Sequence, residues 1–271
     1  MSVQTEIDRI ITAVGAAYDA VEAKGGTAPA AQTIEGLAGA ISGIKSAPTT
    51  PYMEAEYVAV ENGFGNTNHC IKRAKLYNHT AIYMREFVGQ DQLQNLDFSD
   101  ASNNITAIEE SAFELALVDG LVLPNTISVL GAVCFGTTHI TTLTIPPLVT
   151  VLPDYAFTYI QPVHNTETGE ELPINIILPQ NLTKIGFACF EGALIKQITI
   201  PDTVTEIGGS AFLVCRQLES ITCLAATPPA LGIDALYTDT AGLTIKVPAA
   251  SVAAYKAADG WKDYASYIVA M

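Results

Sequence analysis

The stretch IKQITIPDTVTEIGGSAF at 195–212 decides the fold, because its pattern returns along the chain with phenylalanine always in last place. The copies read LVLPNTISVLGAVCF at 121–135, LTIPPLVTVLPDYAF at 143–157, IILPQNLTKIGFACF at 176–190 and ITIPDTVTEIGGSAF at 198–212, with a partial copy, ITAIEESAF, at 105–113. Phe113, Phe135, Phe157, Phe190 and Phe212 are therefore 22, 22, 33 and 22 residues apart. Pro124, Pro146, Pro179 and Pro201 repeat the steps 22, 33 and 22, so the long step is one period plus an eleven-residue insertion between Phe157 and Ile176. A fixed period of this size marks stacked coils: one repeat cannot bury its apolar side alone, and its neighbours cover it.

Around each repeat start runs an LxxLxL pattern: Leu93/Leu96/Phe98, Val118/Leu121/Leu123, Ile140/Leu143/Ile145, Ile195/Ile198/Ile200 and Leu218/Ile221/Cys223. In a short strand these three side chains point inward and the intervening ones outward. Proline has no N–H to give, so it belongs where the chain leaves the ladder. The V/I-x-x-I/L pair and the small-residue–Phe pair then return over the back of the coil and fill its interior. Cys134 and Cys189 hold the place of the alanine before Phe and read as small buried apolar residues.

The signature L-x-x-I-x-I-P-x-x-V-x-x-I-G-x-x-A-F resembles the BspA-type leucine-rich repeats of surface adhesins and antigens. The resemblance implies an α/β repeat solenoid, a right-handed coil of short parallel strands, with extracellular recognition as its role and no catalytic motif. It covers about residue 93 to the end, and more weakly 52–92 as an atypical capping repeat carrying Leu76, Ile82 and Phe87. The expected divisions are 1–45, a helical module; 46–51, a linker; 52–92, the capping repeat; 93–242, the repeats with an insertion at 161–172; and 243–271, a terminal cap. In that cap a last strand and a short helix are expected, with Val252, Tyr255, Trp261, Tyr264 and Ile268 covering the open end of the core.

At the N-terminus, Ile7, Ile11, Val14, Tyr18 and Val21 are spaced 4, 3, 4 and 3, and Ile34, Leu37, Ile41 and Ile44 are spaced 3, 4 and 3. Both are narrow apolar seams on helices, broken by KGGTAP at 24–29 and followed by a stiff SAPTTP linker at 46–51. So short a pair of helices makes a poor independent core, which predicts a dimer or trimer through these seams, or docking on something larger. An intramolecular hairpin on the first coil is the alternative. The stretch 7–44 is similar to a leader on structural and tail-associated proteins of phages and prophages of gut bacteria. That resemblance implies a virion location, with a cell-surface location as the alternative; the start has no signal-peptide pattern.

The 13 basic and 28 acidic residues give a formal charge of −15, which excludes an electrostatic route to nucleic acid or to an anionic membrane. No run of eighteen apolar residues is present to span a bilayer. Twelve acidic residues and no Lys or Arg fall between Glu86 and Thr183, yet no dense Asp/Asn/Gly loop of the Ca²⁺-binding kind is written there. Five cysteines with no CxxC argue against both a disulfide framework and a zinc site. His69, His79, His139 and His164 lack metal-ligand spacing and read as surface or loop residues. No cofactor motif and no nucleophile elbow is present. A glycan-cleaving solenoid would need two facing carboxylates; Asp97 with Asp119, or Glu167, Glu170 and Glu171, are the candidates, and the chain is expected not to be an enzyme.

What remains is a surface. Outward strand positions form two columns: Asp97, Val122, Thr144, Ile177, Thr199 and Thr222, and Asn95, Gly120, Thr142, Asn175, Gln197 and Ser220. These positions, rimmed by Asp119 and by His164 and Glu167 of the insertion, are the expected contact face. Its partner would be a protein or glycan on a host or cell surface, or another virion protein.

Overall fold

The computed structural model describes residues 51–61, 67–90, 92–93, 95–118, 120–163, 168, 171–237 and 242–271, the side chains of 58–61 and 67–70 excepted. The chain divides into two units, Met1–Pro51 and Tyr52–Met271, and the description concerns the second. The helical seams from Ile7 to Ile44 lie outside the described residues.

Phenylalanine organises the interior. Phe87, Phe113, Phe135, Phe157, Phe190 and Phe212 stack in one file with ring centroids 5.2–5.4 Å apart and planes within 11° of parallel. Each is fully buried. The backbone of the file is also laddered. The N–H of Phe113 donates to the carbonyl of Cys134 at 2.9 Å, that of Phe135 to Ala156 at 2.9 Å, and that of Phe190 to Ala211 at 2.8 Å. A residue two places before each Phe takes a left-handed backbone, as at Ser111, Val133, Tyr155, Ala188 and Ser210. Non-glycine residues are strained there, and the repeating coil-to-coil ladder is what holds them.

Two strand faces flank this file. On the first, β2 (Thr67–Tyr77) pairs in parallel with β4 (Asn95–Asp97), β7 (Thr142–Thr144) with β9 (Asn175–Ile177), β11 (Gln197–Ile200) with β13 (Ser220–Cys223), and β13 in turn with β15 (Thr244–Val247). On the second lie two-residue strands: β3 (Ala81–Ile82), β5 (Ala107–Ile108) and β6 (Val129–Leu130) in one group, β8 (Val151–Leu152), β10 (Lys184–Ile185), β12 (Glu206–Ile207) and β14 (Ala230–Leu231) in the other. These second-face strands are the expected return pairs, and Ile127, Leu130, Val149, Leu152, Leu182, Ile185, Val204 and Ile207 are all buried.

The architecture is thus a parallel β-solenoid. The helical part of the α/β expectation is not confirmed: among the described residues the coil backs are strands and turns, and the single α-helix is α1 (Val252–Ala257) in the terminal cap. The reason is the shortness of the return: the two residues between the V/I and I/L positions leave room for a bridge, not for a helical turn that could offset its nucleation.

The beginning is a hairpin. β1 (Tyr52–Glu61) runs antiparallel to β2, with a register shift between Glu56 and Tyr57. Phe87 follows and starts the ring file. At the far end, Tyr255 and Trp261 are fully buried and meet edge to face at 4.9 Å. The Tyr255 hydroxyl donates to the Ala225 carbonyl at 2.9 Å, and the Trp261 indole N–H to the Pro229 carbonyl at 2.7 Å. These bonds let two large polar-tipped rings close an apolar core. The chain does not stop at the helix: β16 (Ile268–Ala270) returns and adds a parallel strand to β15.

Glycine in the I-G-x-x-A-F signature has a packing reason. A Cβ on Gly208 would stand 2.6 Å from the backbone carbon of Gly186, in the coil before it. Neighbouring coils approach too closely there for a side chain.

Candidate functional site

The first strand face carries the outward positions read from the sequence, and strand register fixes their neighbours. Thr142 lies beside Asn175 and Thr144 beside Ile177. Gln197, Ser220 and Thr244 form one row, and Thr199, Thr222 and Lys246 the other. Thr142, Thr144, Asn175, Ile177, Gln197 and Thr199 are exposed, alternating with buried Leu143, Ile176 and Ile198 as a half-buried sheet requires.

Charges that the repeat pattern did not mark stand at the ends of this face: Lys246 closes the second row, and β2 carries others in a separate sheet. Arg73 sits beside Asn95 and Lys75 beside Asp97, and Lys75 Nζ is 4.0 Å from Asp97 Oδ2. Hydrogen bonds from Ser99 hold the Asp97 carboxyl below its usual range, with a smaller contribution from Lys75. Arg73, Lys75, Thr244 and Lys246 were missed because neither the hairpin nor the terminal strand carries the LxxLxLP frame.

The rows are interrupted. Among the described residues no strand stands on this face between β4 and β7, so Gly120 and Val122 do not belong to the ladder as expected. Val122 is 81% exposed. On either side of it the surface sinks, into a recess of about 80 Å³ against Leu93 and Asn95 and one of about 350 Å³ lined by Val122, Asn125, Thr142 and Thr144. Among the described residues that line these recesses, Asn95, Asn125 and two threonines have polar side chains and none is charged. Such a surface can offer hydroxyl and amide hydrogen bonds around a small apolar floor.

Asp119, His164 and Glu167, expected at the rim, lie outside the described residues. Glu171 is exposed. Several acids of the Lys/Arg-free stretch serve the backbone instead of a ligand. Glu86 accepts from the Tyr83 N–H, Glu109 from Met84 at 2.8 Å and Asp154 from Phe187 at 2.7 Å. Among the described residues no group of three or more His, Cys, Asp and Glu could hold a metal ion.

His79 lies in the loop between β2 and β3, as a loop residue, but it is buried there. It is 2% exposed, with Nδ1 2.9 Å from the Tyr77 carbonyl and Nε2 2.9 Å from Glu86 Oε1. It joins the first coil to its own turn, and a sequence without spacing motifs gave no sign of that. Cys134, Cys189, Cys215 and Cys223 are buried and unbridged, and burial raises every one of these thiols above its usual pKa.

A second surface lies on the turn edge beside the ring file. Tyr155, Tyr159, Phe187, Ile233 and Tyr237 are exposed there, at positions that the repeat pattern leaves unspecified.

A family profile described as BspA type Leucine rich repeat region matches the chain in six copies, over residues 61–164 and 172–228. No curated protein matches the chain. Among solved structures it is similar to a leucine-rich repeat protein from Bacteroides ovatus ATCC 8483, at 18% identity over 60% of this chain and 51% of that one, with a TM-score of 0.38. It is similar also to the pneumococcal vaccine antigen PcpA, at 16% identity over 69% and 63% of the two chains, TM-score 0.30. A third is a leucine rich cell surface protein from Faecalibacterium prausnitzii A2-165, at 18% identity over 62% and 56%, TM-score 0.29. The chain spans less than two thirds of the length of each.

Proposed function

The chain belongs to the BspA type leucine-rich-repeat family, and we propose that it is a non-enzymatic recognition module whose strand face binds a protein or glycan at a cell surface or on a virion. The observation that supports this is the pairs in register on two successive short sheets of this face: Thr142 beside Asn175 on β7–β9, and Gln197 beside Ser220 and Thr199 beside Thr222 on β11–β13, all hydroxyl- and amide-bearing side chains. A row of short polar side chains makes many shallow hydrogen bonds and holds no group poised for chemistry. The family resemblance favours a bacterial cell surface. The phage-tail reading rests on the leader-like stretch 7–44, and dimer or trimer formation on the seams from Ile7 to Ile44.

The test is binding of the full chain to a panel of bacterial cells and immobilised glycans, beside a variant carrying Thr144→Lys, Gln197→Lys and Thr199→Lys. Loss of binding in the variant, with its melting curve kept, is the expected result. Equal binding by both proteins removes the strand face from the reading. Solution mass of the full chain against one beginning at Pro51 tests the seams, and equal monomeric masses would count against them.

A further inference from the structure

We propose that the turn edge is a second binding site, a shelf for neutral polysaccharide that runs from Tyr155 into a recess at the terminal cap. It is separate from the strand face and does not depend on it.

The shelf begins with two rings. Tyr155 and Phe187, on adjacent coils, meet edge to face at 5.5 Å and 74°. Phe187 then reaches across the next coil at Gly209: a Cβ there would lie 3.5 Å from Phe187 Cδ2 and 3.2 Å from the Ile233 carbonyl. Phe187 and Ile233 therefore border one glycine notch, and they are 44% and 84% exposed. A parallel arrangement holds one step along each coil. The Tyr159 ring lies against Gly192, where no Cβ would fit, and its hydroxyl is 3.4 Å from Glu191 Oε1. Both rings recline over glycine in the following coil and leave a face to solvent.

Past Ile233 the surface sinks into a recess of about 490 Å³ whose walls include Asp234, Tyr237, Gly260, Asp263 and Tyr264. Burial raises the Tyr264 hydroxyl above its ordinary pKa; a hydrogen bond with the Leu236 backbone opposes the shift, and the charges of Asp234 and Asp263 add to it. Both carboxylates thus act on the same phenol.

Ring faces, glycine notches and carboxylates in alternation suit a sugar chain. The C–H face of a pyranose rests on an aromatic face or on Ile233, while its hydroxyls donate to Asp234, Asp263 or Glu191. An apolar protein surface would leave those carboxylates buried and unpaired, at a cost that disfavours it. Among the described residues no Lys or Arg lines the recess, and its two carboxylates disfavour an acidic polysaccharide there.

The experiment is affinity electrophoresis of the full chain through gels containing hydroxyethyl cellulose, yeast mannan or arabinoxylan, with polygalacturonate and polylysine as charged controls. Retardation by at least one neutral polymer is expected. In the Phe187→Ala/Tyr237→Ala variant the affinity should fall about tenfold, the loss of stacking by two exposed rings. The melting curve should be unchanged, and the strand-face variant should bind the neutral polymer as before. Retardation by no neutral polymer, retardation by a charged polymer alone, or neutral binding that survives the double substitution overturns the proposal.

Discussion

Phe157 and Phe190 stack with centroids 5.2 Å apart and planes 11° from parallel, although 33 residues separate them and 22 separate Phe190 from Phe212, which stacks at the same 5.2 Å. The eleven additional residues leave the ring file undisturbed. Leu172 N–H donates to the Val163 carbonyl at 2.9 Å, so the insertion closes on itself before the coil resumes at Ile174.

Excising residues 163–173 restores the 22-residue step. Stability should change by no more than about 1 kcal/mol, because lengthening a surface loop costs little and shortening it returns little. Urea unfolding measures this, and collapse of the cooperative transition would show that the insertion holds the ladder together.

Phe135→Ala opens the middle of the file and should lower stability by about 3–5 kcal/mol. Phe135→Leu should cost about 1 kcal/mol, since the coil after Phe212 already closes with buried Leu236 in this place. Denaturant midpoints for the pair check the order, and equal losses would mean that ring stacking, not volume, dominates.

Gly208→Ala forces a methyl against the Gly186 backbone and should destabilise by about 1–3 kcal/mol. Gly120 is also a glycine on the coil, at φ +67, but nothing lies within 4 Å of its missing Cβ. Its alanine variant should lose only the left-handed backbone preference, about 1 kcal/mol. Thermal unfolding of both separates close approach from conformation.

Glu86→Ala leaves the buried His79 ring without its partner at Nε2 and should cost about 1–3 kcal/mol. Glu86 holds the place before Phe that Ala112, Ala156 and Ala211 hold in other coils. His79→Phe with Glu86→Ala should therefore regain much of the loss. A double variant no better than the single one would show that the pair does more than satisfy itself.

Burial pushes Cys215 and Cys223 up to about 12 from an ordinary 9.0. In the unfolded chain these thiols ionise near their ordinary value, while in the fold they stay protonated. Their contribution is fully present below about pH 9 and is lost as pH rises toward 12, at about 1.4 kcal/mol per pH unit for each thiol. In a Cys70→Ser background, native protein at pH 8 should leave a thiol reagent unreacted until denaturant is added. Prompt reaction of even one thiol would contradict the buried placement.

The ring file, the return pairs and the outward rows were legible because each follows from a period. A repeated Phe at a fixed step can only be satisfied by stacking, and alternation in LxxLxL sets the face of every side chain within one residue. The break at Val122 was not legible: its segment, Val118/Leu121/Leu123, fits the frame as well as any other. Whether backbone groups come within hydrogen-bonding distance depends on the coils on both sides. The turn edge was also unreadable, because Tyr155, Phe187 and Ile233 sit at unconstrained positions of the repeat.

Sequence alone therefore determined the coil, its core and which side chains leave it, since these depend on distances along one chain and on the burial of apolar groups. Tertiary structure decided which exposed side chains become neighbours. Contacts such as Phe187 with Gly209, or Tyr159 with Gly192, depend on how successive coils are offset in space, and no spacing within a repeat encodes that offset.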